Sequence, residues 1–454
     1  MYRTVNPATG ELVESFPLAS HGEIERALDD AVAGFSVWRN QTLEQRADAF
    51  LLVADLLERD SQGYARLMAE EMGKVLAEGA AEVLRCAAAC RYFAENAQTF
   101  LAPEPRSFGA LDAQIRFEPL GVICAVMPWN FPFWQVFRCA APAMMAGNAL
   151  ILKHAPNTPQ CAIAIAKLFE RVLPHRGIFQ SLFLDNDQAA RVISDRRVAG
   201  VSLTGSVRAG KEVGRVAGAH LKKMVLELGG SDPFIVLDDA DVSATAAAAV
   251  GFRCFNNGQS CISPKRILVA RQIFETFVDT FAKGMGNRVV GSPYVPSTQN
   301  GPLARADLRD ALQDQVQRST RSGARLLVGG RPLEGPGFYF HPTVLTVDAD
   351  DNPAFSEELF GPVGVVRPFT DDDDLIRMAN ASSYGLGASI WTSNEQRARD
   401  LAPRLDVGTV IINDWVRSEP ALPFGGIKDS GIGRELGLEG VREFTNIKTI
   451  WAKS

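Results

Sequence analysis

The sequence predicts an α/β fold built mainly on parallel sheets, and three observations lead to this prediction. Residues 1–100 carry the spacing of amphipathic helices. From residue 111 to residue 228, short apolar runs alternate with helical stretches, and a second alternation begins near residue 233. Strands that alternate with helices are joined by right-handed crossovers. The resulting parallel sheets bind ligands beyond the carboxyl ends of their strands.

Capping signals mark the helices at the start of the chain. Ser20 and Glu23 have the spacing of a capping box, and Thr42 and Gln45 repeat it. The predicted helices of this part cover 20–37, a stretch that begins at 42, and the alanine-rich segment 75–100.

The two alternations define the remaining elements. In the first, strands are predicted over 111–118, 121–127, 149–153, 178–184, 199–203 and 222–228, with helices over 133–146, 158–173, 186–194 and 207–219. In the second, the strands are 233–237, 266–270, 363–367, 386–392 and 408–412, with helices between them and a final strand over 447–451. Two stretches rich in glycine and proline, 291–304 and 330–342, are predicted as long connections.

Composition and charge exclude several classes of function. The chain has 454 residues and a net charge of −6, without a long basic run, so nucleic acid and membrane surfaces are not expected partners. Its seven cysteines are irregularly spaced and include no Cys-x-x-Cys pair, which indicates reduced thiols in the cytoplasm. The five histidines lack zinc spacing, so no metal site is predicted.

Residues 255–266, Phe-Asn-Asn-Gly-Gln-Ser-Cys-Ile-Ser-Pro-Lys-Arg, surround Cys261 with small and polar side chains. A cysteine kept for packing normally has apolar neighbours, because a free thiol behaves as a small hydrophobe. Gly258 permits close approach of the backbone, and Lys265 and Arg266 add positive charge that favours the thiolate. The stretch indicates a catalytic nucleophile, with an inert loop cysteine as the alternative.

Two other residues have the chemistry that such a nucleophile needs. Glu227 ends a predicted strand, and a carboxyl group buried near Cys261 would have a raised pKa suited to a general base. Asn130 follows the strand 121–127 in Met-Pro-Trp-Asn-Phe-Pro, and its amide is a neutral donor for an oxyanion. The alternatives are a strand-end salt bridge for Glu227 and a turn-forming role for Asn130.

Two strand ends carry groups suited to a phosphate. Lys153 ends the strand 149–153, and Thr204-Gly205-Ser206 follow the strand 199–203 and open a helix. Backbone N–H groups at a helix start can bind an anion. No Gly-x-Gly-x-x-Gly motif accompanies these residues, so the pattern alone does not identify a dinucleotide site.

Together these stretches resemble the NAD(P)-dependent aldehyde dehydrogenases, and the resemblance covers essentially the whole chain. Six motifs occur in the order of that family: Asn-Pro-Ala-Thr-Gly at 6–10, Pro-Trp-Asn at 128–130, Glu-Leu-Gly-Gly at 227–230, Gly-Gln-Ser-Cys at 258–261, Glu-Leu-Phe-Gly-Pro at 358–362 and Pro-Phe-Gly-Gly at 423–426. Residues 127–138, 152–157 and 226–234 look like those of bacterial succinate-semialdehyde dehydrogenases.

The resemblance implies a Rossmann-type cofactor-binding domain, an α/β catalytic domain and a small β oligomerisation element, in a homodimer or homotetramer. The cofactor-binding domain would comprise 1–109 and 124–228, with 431–444 packed back on it. The catalytic domain would comprise 229–430, and the oligomerisation element 110–123 and 445–454.

The resemblance also implies a mechanism. Cys261 would attack the aldehyde, the Asn130 amide and the Cys261 backbone N–H would hold the oxyanion, and hydride would pass to the nicotinamide. Glu227 would then activate water to hydrolyse the thioester. The residues expected to contact the cofactor are Trp129, Lys153, Pro156, Gly205, Ser206, Leu228, Glu358 and Phe360.

One departure from the family concerns the cofactor. Many NAD-using relatives carry a glutamate three residues after the strand-end lysine, where this chain has Pro156. Neither a repelling carboxylate nor a binding hydroxyl stands at this position, so both NAD and NADP remain open, with a slight preference for NAD.

The substrate is expected to be a short aldehyde with a distal carboxylate, succinate semialdehyde in the first place. Trp134, Arg138 and Ser418 correspond to substrate positions, and an arginine there suits a carboxylate. A surface salt bridge is the alternative for Arg138. Glutarate semialdehyde or an uncharged aliphatic aldehyde remains the alternative substrate.

Three other functions compete with this interpretation. A cysteine hydrolase without cofactor would need a histidine base, and no histidine lies in a matching motif. A CoA-acylating dehydrogenase often lacks the base that Glu227 supplies. A non-enzymatic protein of the same fold would not need Cys261, Glu227 and Asn130 together.

Overall fold

The computed structural model describes residues 1–108 and 111–453. Gly109, Ala110 and Ser454, on which predicted domain boundaries fall, lie outside the described residues. The helices are α1 (His21–Trp38), α2 (Leu43–Arg59), α3 (Ser61–Met72), α4 (Leu76–Phe100), α5 (Trp134–Met145), α6 (Pro159–Glu170), α7 (Asn186–Ser194), α8 (Val207–Ala219), α9 (Val242–Cys254), α10 (Phe274–Gly286), α11 (Ala306–Arg321), α12 (Pro353–Ser356), α13 (Asp372–Asn380), α14 (Glu395–Leu401) and α15 (Gly437–Glu443).

The strands of the first half of the chain are β1 (Tyr2–Val5), β2 (Leu12–Phe16), β3 (Glu104–Phe108), β4 (Leu111–Pro119), β5 (Val122–Val126), β6 (Ala149–Lys153), β7 (Phe179–Ser181), β8 (Val198–Thr204) and β9 (Lys223–Glu227). Those of the second half are β10 (Pro233–Val236), β11 (Arg266–Ala270), β12 (Arg325–Val328), β13 (Thr343–Thr346), β14 (Val363–Phe369), β15 (Tyr384–Gly385), β16 (Gly387–Trp391), β17 (Thr409–Ile412), β18 (Ile427–Lys428), β19 (Gly431–Ile432) and β20 (Thr445–Lys453).

A six-stranded sheet has the order β19-β9-β8-β5-β6-β7. Its strands run parallel except for β19, which pairs antiparallel with β9. The carboxyl ends of β6, β8 and β9 therefore lie along one edge, and Lys153, Thr204 and Glu227 are the last residues of these strands. This edge is where a parallel sheet places a ligand site.

A seven-stranded sheet has the order β12-β13-β14-β11-β10-β16-β17. Only its edge strand β12 is antiparallel to its neighbour. Every residue of β10 and β11 is buried. Burial on both faces explains why these strands occur in the sequence as continuous apolar runs rather than as alternating patterns.

A third sheet, β20-β4-β3, is antiparallel and pairs the end of the chain with residues 111–119. Its outer residues Ile447 and Trp451 are each 61% exposed. The sheet is tied to the six-stranded sheet by the buried Asn148, whose Nδ2 donates to the carbonyl oxygen of Phe444 at 3.0 Å and whose Oδ1 accepts from the N–H of Gly121 at 3.1 Å. In the described ranges, no helix combines the length and apolarity needed to cross a membrane.

Several predicted elements agree residue for residue with the structure, namely 149–153, 186–194, 207–219 and 266–270. Both predicted capping boxes are present at Ser20 and Thr42. The predicted strand 178–184 is shorter, because its second half turns to the start of the chain. There the N–H of Leu184 donates to the Tyr2 hydroxyl at 3.2 Å instead of to a neighbouring strand.

Helix α3 was not predicted. Asp60 alone separates it from α2, and as the N-cap residue Asp60 makes no side-chain capping hydrogen bond. Without a start signal, the periodicity of 61–72 does not mark a separate helix. The hairpin β1–β2 was also missed, because β2 is exposed along most of its length and has no apolar face.

Candidate active site

Cys261 lies just beyond a left-handed turn that follows α9. Asn256, Asn257 and Gly258 have φ angles of 53°, 57° and 73°, a region that asparagine and glycine tolerate best. A Cβ atom at Gly258 would lie 2.3 Å from the carbonyl carbon of Gly361. The turn therefore packs directly against the backbone of Gly361, and this contact fixes the path of the chain just before Cys261.

Two buried asparagine side chains hold this turn in place. Nδ2 of Asn256 donates to the carbonyl oxygen of Asn130 at 2.7 Å. Nδ2 of Asn257 donates to the carbonyl oxygens of Gly73 and Pro302 at 2.9 and 3.0 Å. The loop is thus anchored to three segments that are far apart in sequence, which is why the structure supports these strained dihedral angles.

Lys265 is fully buried beneath the same loop. Its Nζ donates to the carbonyl oxygens of Ser260 and Cys261 at 2.9 and 2.8 Å and lies 3.5 Å from Oε1 of Glu358. Arg266 turns the other way, and its Nε donates to the carbonyl oxygen of Ser231 at 2.8 Å. Lys265 therefore supports the backbone at Cys261, whereas Arg266 supports neighbouring segments.

Lys265 favours the thiolate of Cys261 as expected, but its charge does not outweigh burial, and Arg266 is not among the groups that shift the pKa of this thiol. Burial raises the pKa of the Cys261 thiol to about 12, Glu227 raises it further, and Arg138 and Lys265 only partly oppose them. Desolvation outweighs the nearby positive charge, because a thiolate loses more from leaving water than it gains from these cations. The thiol is consequently protonated at neutral pH and needs activation.

Asn130 is directed at the same loop. Its Nδ2 donates to the carbonyl oxygen of Gln259 at 3.1 Å, and Nδ2 of Asn256 donates to the same oxygen at 3.0 Å. An amide nitrogen carries two hydrogens, so the second hydrogen of Asn130 remains for another acceptor. Asn130 therefore lies in a bend, as the alternative interpretation expects, and it also supplies a donor beside Cys261.

Glu227 ends β9 and is 1% exposed. Its Oε2 accepts a hydrogen bond from Nη2 of Arg138 at 3.2 Å. Oε1 has no protein donor among the described residues. Burial raises the pKa of Glu227 to about 8, Arg138 opposes this shift, and Glu435 adds to it.

Arg138 belongs to a buried cluster of charged groups. Its guanidinium lies between Glu227 and Glu435, donates from Nη2 to Thr204 Oγ1 at 3.2 Å, and covers the ring of Phe424. With 2% exposure it is not the surface salt bridge of the alternative, and its role toward the substrate stays a prediction. The buried pairing was not predicted, because Glu435 is almost 300 residues away in sequence and no local pattern indicates the pair.

Glu82 of α4 was missed as a positioning residue. Its Oε1 accepts from the backbone N–H groups of Phe133 and Trp134, both at 2.9 Å, and its Oε2 forms a buried ion pair with Lys74. A carboxylate at a helix start satisfies free N–H groups and favours the helix dipole. Glu82 thereby fixes the start of α5, which carries Trp134 and Arg138.

A cavity of about 820 Å³ opens at the edge of the six-stranded sheet, beside the start of α8. Lys153 contributes to its wall and is 8% exposed, with no hydrogen-bond acceptor for its ammonium among the described residues. Ser206 caps α8, and its Oγ accepts from the N–H of Ala209. A nearly buried free cation next to a helix start fits a diphosphate. Arg208 and Lys211 also line the cavity.

The other predicted cofactor residues lie at separate places around this edge. Gly205 donates its N–H to the carbonyl oxygen of Glu227, and Leu228 is buried against α8 beside Gly210. Oε1 of Glu358 accepts from the N–H of Gly230 at 3.1 Å.

Phe360 meets Trp129 edge to face at 5.8 Å. Pro156 is exposed and does not contribute to the wall of the cavity.

Trp134 and Ser418 are linked directly. Nε1 of Trp134 donates to Oγ of Ser418 at 3.0 Å. The guanidinium of Arg85, on α4, lies 4.5 Å from the centre of the Trp134 ring and donates to the carbonyl oxygen of Ser418. Sequence reasoning missed Arg85, because an arginine within an alanine-rich helix carries no motif.

A model of the aldehyde dehydrogenase family matches residues 1–450. The chain belongs to this family. Aldehyde dehydrogenases oxidise small aldehydes, so the predicted class of enzyme is confirmed.

The similar proteins include named semialdehyde dehydrogenases. Succinate-semialdehyde dehydrogenase [NADP(+)] 1 of Mycobacterium ulcerans is 47% identical over 99% of both chains. The protein of the same name from Mycobacterium tuberculosis is 46% identical, also over 99% of both. The crystal structure of succinic semialdehyde dehydrogenase from Streptococcus pyogenes with NADP+ is 37% identical, covers 100% of both chains and has a TM-score of 0.98.

These comparisons do not support the slight preference for NAD. The relatives are named for NADP(+), and the Streptococcus pyogenes structure contains NADP+. The preference rested on Pro156, which lies outside the wall of the cavity in this aldehyde dehydrogenase. A single position is therefore not enough to choose between the two cofactors.

Gly258→Ala tests the left-handed turn. We expect the substitution to lower the free energy of unfolding by at least about 2 kcal/mol, because alanine disfavours the positive φ and its Cβ meets the backbone of Gly361. Gly251→Ala in α9 is the matched control, since a Cβ there meets nothing within 4 Å. Thermal unfolding of both variants checks this; equal melting temperatures would contradict the constraint.

Proposed function

We propose that this aldehyde dehydrogenase oxidises succinate semialdehyde to succinate with NADP+. The principal support is the buried cluster around Cys261, in which a thiol, the carboxyl group of Glu227 and the guanidinium of Arg138 influence one another's charge. The partly exposed Arg85, beside Trp134 and Ser418, suits an aldehyde that carries a carboxylate. The names of the similar proteins support the same substrate and cofactor.

Cys261 would supply the nucleophile and Asn130 the oxyanion donor. After loss of its proton, the Cys261 sulfur forms a bond to the aldehyde carbon, and the carbonyl oxygen becomes an oxyanion. The free hydrogen of Asn130 Nδ2 and the backbone N–H of Cys261 would donate to this oxygen. Asn130 and the Cys261 loop are hydrogen-bonded to each other through Gln259 and Asn256, so both groups need little rearrangement during the reaction.

The residues at the edge of the six-stranded sheet fit a dinucleotide. Lys153 would bind a ribose hydroxyl or phosphate, because its ammonium is nearly buried without an acceptor. Gly205 and Ser206 would hold the diphosphate at the start of α8, and Leu228 would pack beside it. Trp129, Phe360 and Glu358 would surround the nicotinamide end. When bound, the nicotinamide supplies the hydride acceptor.

Glu227 would activate the water that hydrolyses the thioester. Oε1 is the oxygen able to accept the proton of water, since the described residues give it no donor. Ionisation is required first, and burial opposes ionisation. The positive charge of Arg138 favours the ionised form of Glu227 and so opposes the effect of burial. Arg138 therefore acts on the reaction through Glu227.

We assign a different role to each of the three sheets. The cofactor would bind at the six-stranded sheet, the nucleophile belongs to the part that contains the seven-stranded sheet, and β20-β4-β3 would join subunits. Exposed Ile447 and Trp451 support this last role, because apolar side chains on a small outer sheet favour association. Light scattering of the purified protein distinguishes a monomer, which would contradict it, from a dimer or tetramer.

A comparison of aldehydes tests the function. We expect kcat/KM for succinate semialdehyde to exceed that for hexanal by at least about 30-fold, because a partly buried arginine–carboxylate contact is worth roughly 2 kcal/mol or more. Reduced-cofactor absorbance measures both rates, with NADP+ and with NAD+. Cys261→Ala should abolish both, whereas Cys254→Ala, altered at a fully buried thiol, should not. Equal rates for both aldehydes would refute the substrate assignment.

A pH profile tests Glu227. We expect the hydrolysis step to accelerate as pH rises and to level off above about 8, because the base works only when ionised and the pKa of Glu227 is raised to about 8. Rapid-quench or stopped-flow measurement should show a burst of reduced cofactor before a slow steady state in Glu227→Gln. A profile that is flat between pH 6.5 and 9 would exclude Glu227 as the base.

The substitution Arg208→Ala tests the proposed preference for NADP+ over NAD+. NADP+ differs from NAD+ by a 2′-phosphate, and Arg208 lines the cavity without an ion-pair partner among the described side chains. We expect Arg208→Ala to raise KM for NADP+ roughly tenfold and to leave KM for NAD+ nearly unchanged. The matched control is Arg215→Ala, because Arg215 lines the same cavity but is paired with Glu212. Equal increases in KM for NADP+ and NAD+ would show that Arg208 does not bind the 2′-phosphate.

A further inference from the structure

Arg85 brings a second guanidinium to the substrate side of the site. It lies on α4, its side chain is 27% exposed, and its charged end faces the ring of Trp134 at 4.5 Å. It also donates to the carbonyl oxygen of Ser418, whose hydroxyl accepts from Trp134. Arg85, Trp134 and Ser418 therefore form one connected group contributed by three separate segments.

The charge of Arg85 is only weakly compensated. Its nearest carboxylate oxygen, Oε1 of Glu419, lies 4.0 Å away from Nη2. The same oxygen lies 2.7 Å from Nε of Arg417, which also forms an ion pair with Asp414. Glu419 is therefore committed mainly to Arg417. Arg85 retains the capacity to bind another anion.

Arg138 has the opposite character. Its guanidinium is paired with Glu227 and Glu435 and is almost completely buried. Trp134, which Arg85 faces, lies one turn before Arg138 on α5. Arg85 and Arg138 therefore lie on the same side of that helix. Burial lowers the pKa of Arg85, Glu419 opposes this, and Arg138 adds to the decrease. An anion placed near both cations would relieve this unfavourable interaction.

We propose that Arg85 binds the distal carboxylate of the substrate, with Trp134 and Ser418 as the adjoining wall and Arg138 as a more deeply buried cation behind it. The inference rests on the proposed function, and it identifies the residue that determines its substrate class. An arginine is suited to this task because its planar fork can donate two parallel hydrogen bonds to a carboxylate while its face stays on the indole ring.

Arg85→Met in the full-length enzyme tests the proposal, because methionine keeps an unbranched apolar side chain and removes the charge. With NADP+, we expect kcat/KM for succinate semialdehyde to fall about 10- to 100-fold, mainly through KM. The value for hexanal should stay unchanged or rise, since hexanal has no carboxylate to lose. Inhibition by succinate, the product, should weaken by a similar factor.

Two further variants control for general damage. Arg91→Met removes a partly exposed arginine of the same helix, paired with Asp55 and Glu58, and changes below about threefold are expected. Arg85→Lys should restore part of the lost affinity and keeps the test usable if Arg85→Met does not fold. Partial restoration for succinate semialdehyde, without any effect on hexanal, is the signature of a charge contact.

The possible outcomes separate this inference from the proposed function. If the wild-type enzyme does not prefer succinate semialdehyde, the proposed function itself is refuted. If the preference exists but Arg85→Met retains it, or loses activity equally for both aldehydes, the role of Arg85 is overturned alone. A selective loss that Arg85→Lys partly repairs establishes it.

Discussion

The active site depends on one buried guanidinium placed between two carboxyl groups. Arg138 joins α5 to Glu227 at the end of β9 and to Glu435 near the end of the chain. Burial by itself would lower the pKa of Arg138, yet the two acids leave it raised, so the arginine stays charged. The two carboxyl groups, in turn, have raised pKa values. The protonation state of Glu227, the proposed base, is therefore a property of the cluster rather than of Glu227 alone.

The second constraint is the left-handed turn before Cys261. Consecutive positive φ angles are unfavourable for most residues, and here they persist because side-chain amides and the ammonium of Lys265 bind the surrounding carbonyl groups. The same contacts commit the loop to one conformation. A thiol and an oxyanion donor held in this way need little reorganisation when charge develops on the substrate.

Positive charge is arranged at two depths on the substrate side. Arg138 is buried and paired, whereas Arg85 is partly exposed, faces Trp134 and has only a distant carboxylate partner. This arrangement would separate two requirements of the proposed acidic substrate. A partly exposed arginine can exchange water for a carboxylate at low cost, while a buried one affects pKa values through its field without leaving its partners.

The sequence by itself determined the elements and the identity of the chemistry. Apolar runs and capping boxes predicted most strands and helices, and ordered motifs predicted Cys261, Glu227, Asn130 and the family. Tertiary structure decided what each charged group contacts. Arg138 meets Glu435, and Arg85 meets Trp134, across separations that no local pattern encodes. Protonation also depends on burial, and burial exists only after the chain has folded; Lys265 beside Cys261 favours a thiolate, but desolvation outweighs its charge and produces a thiol.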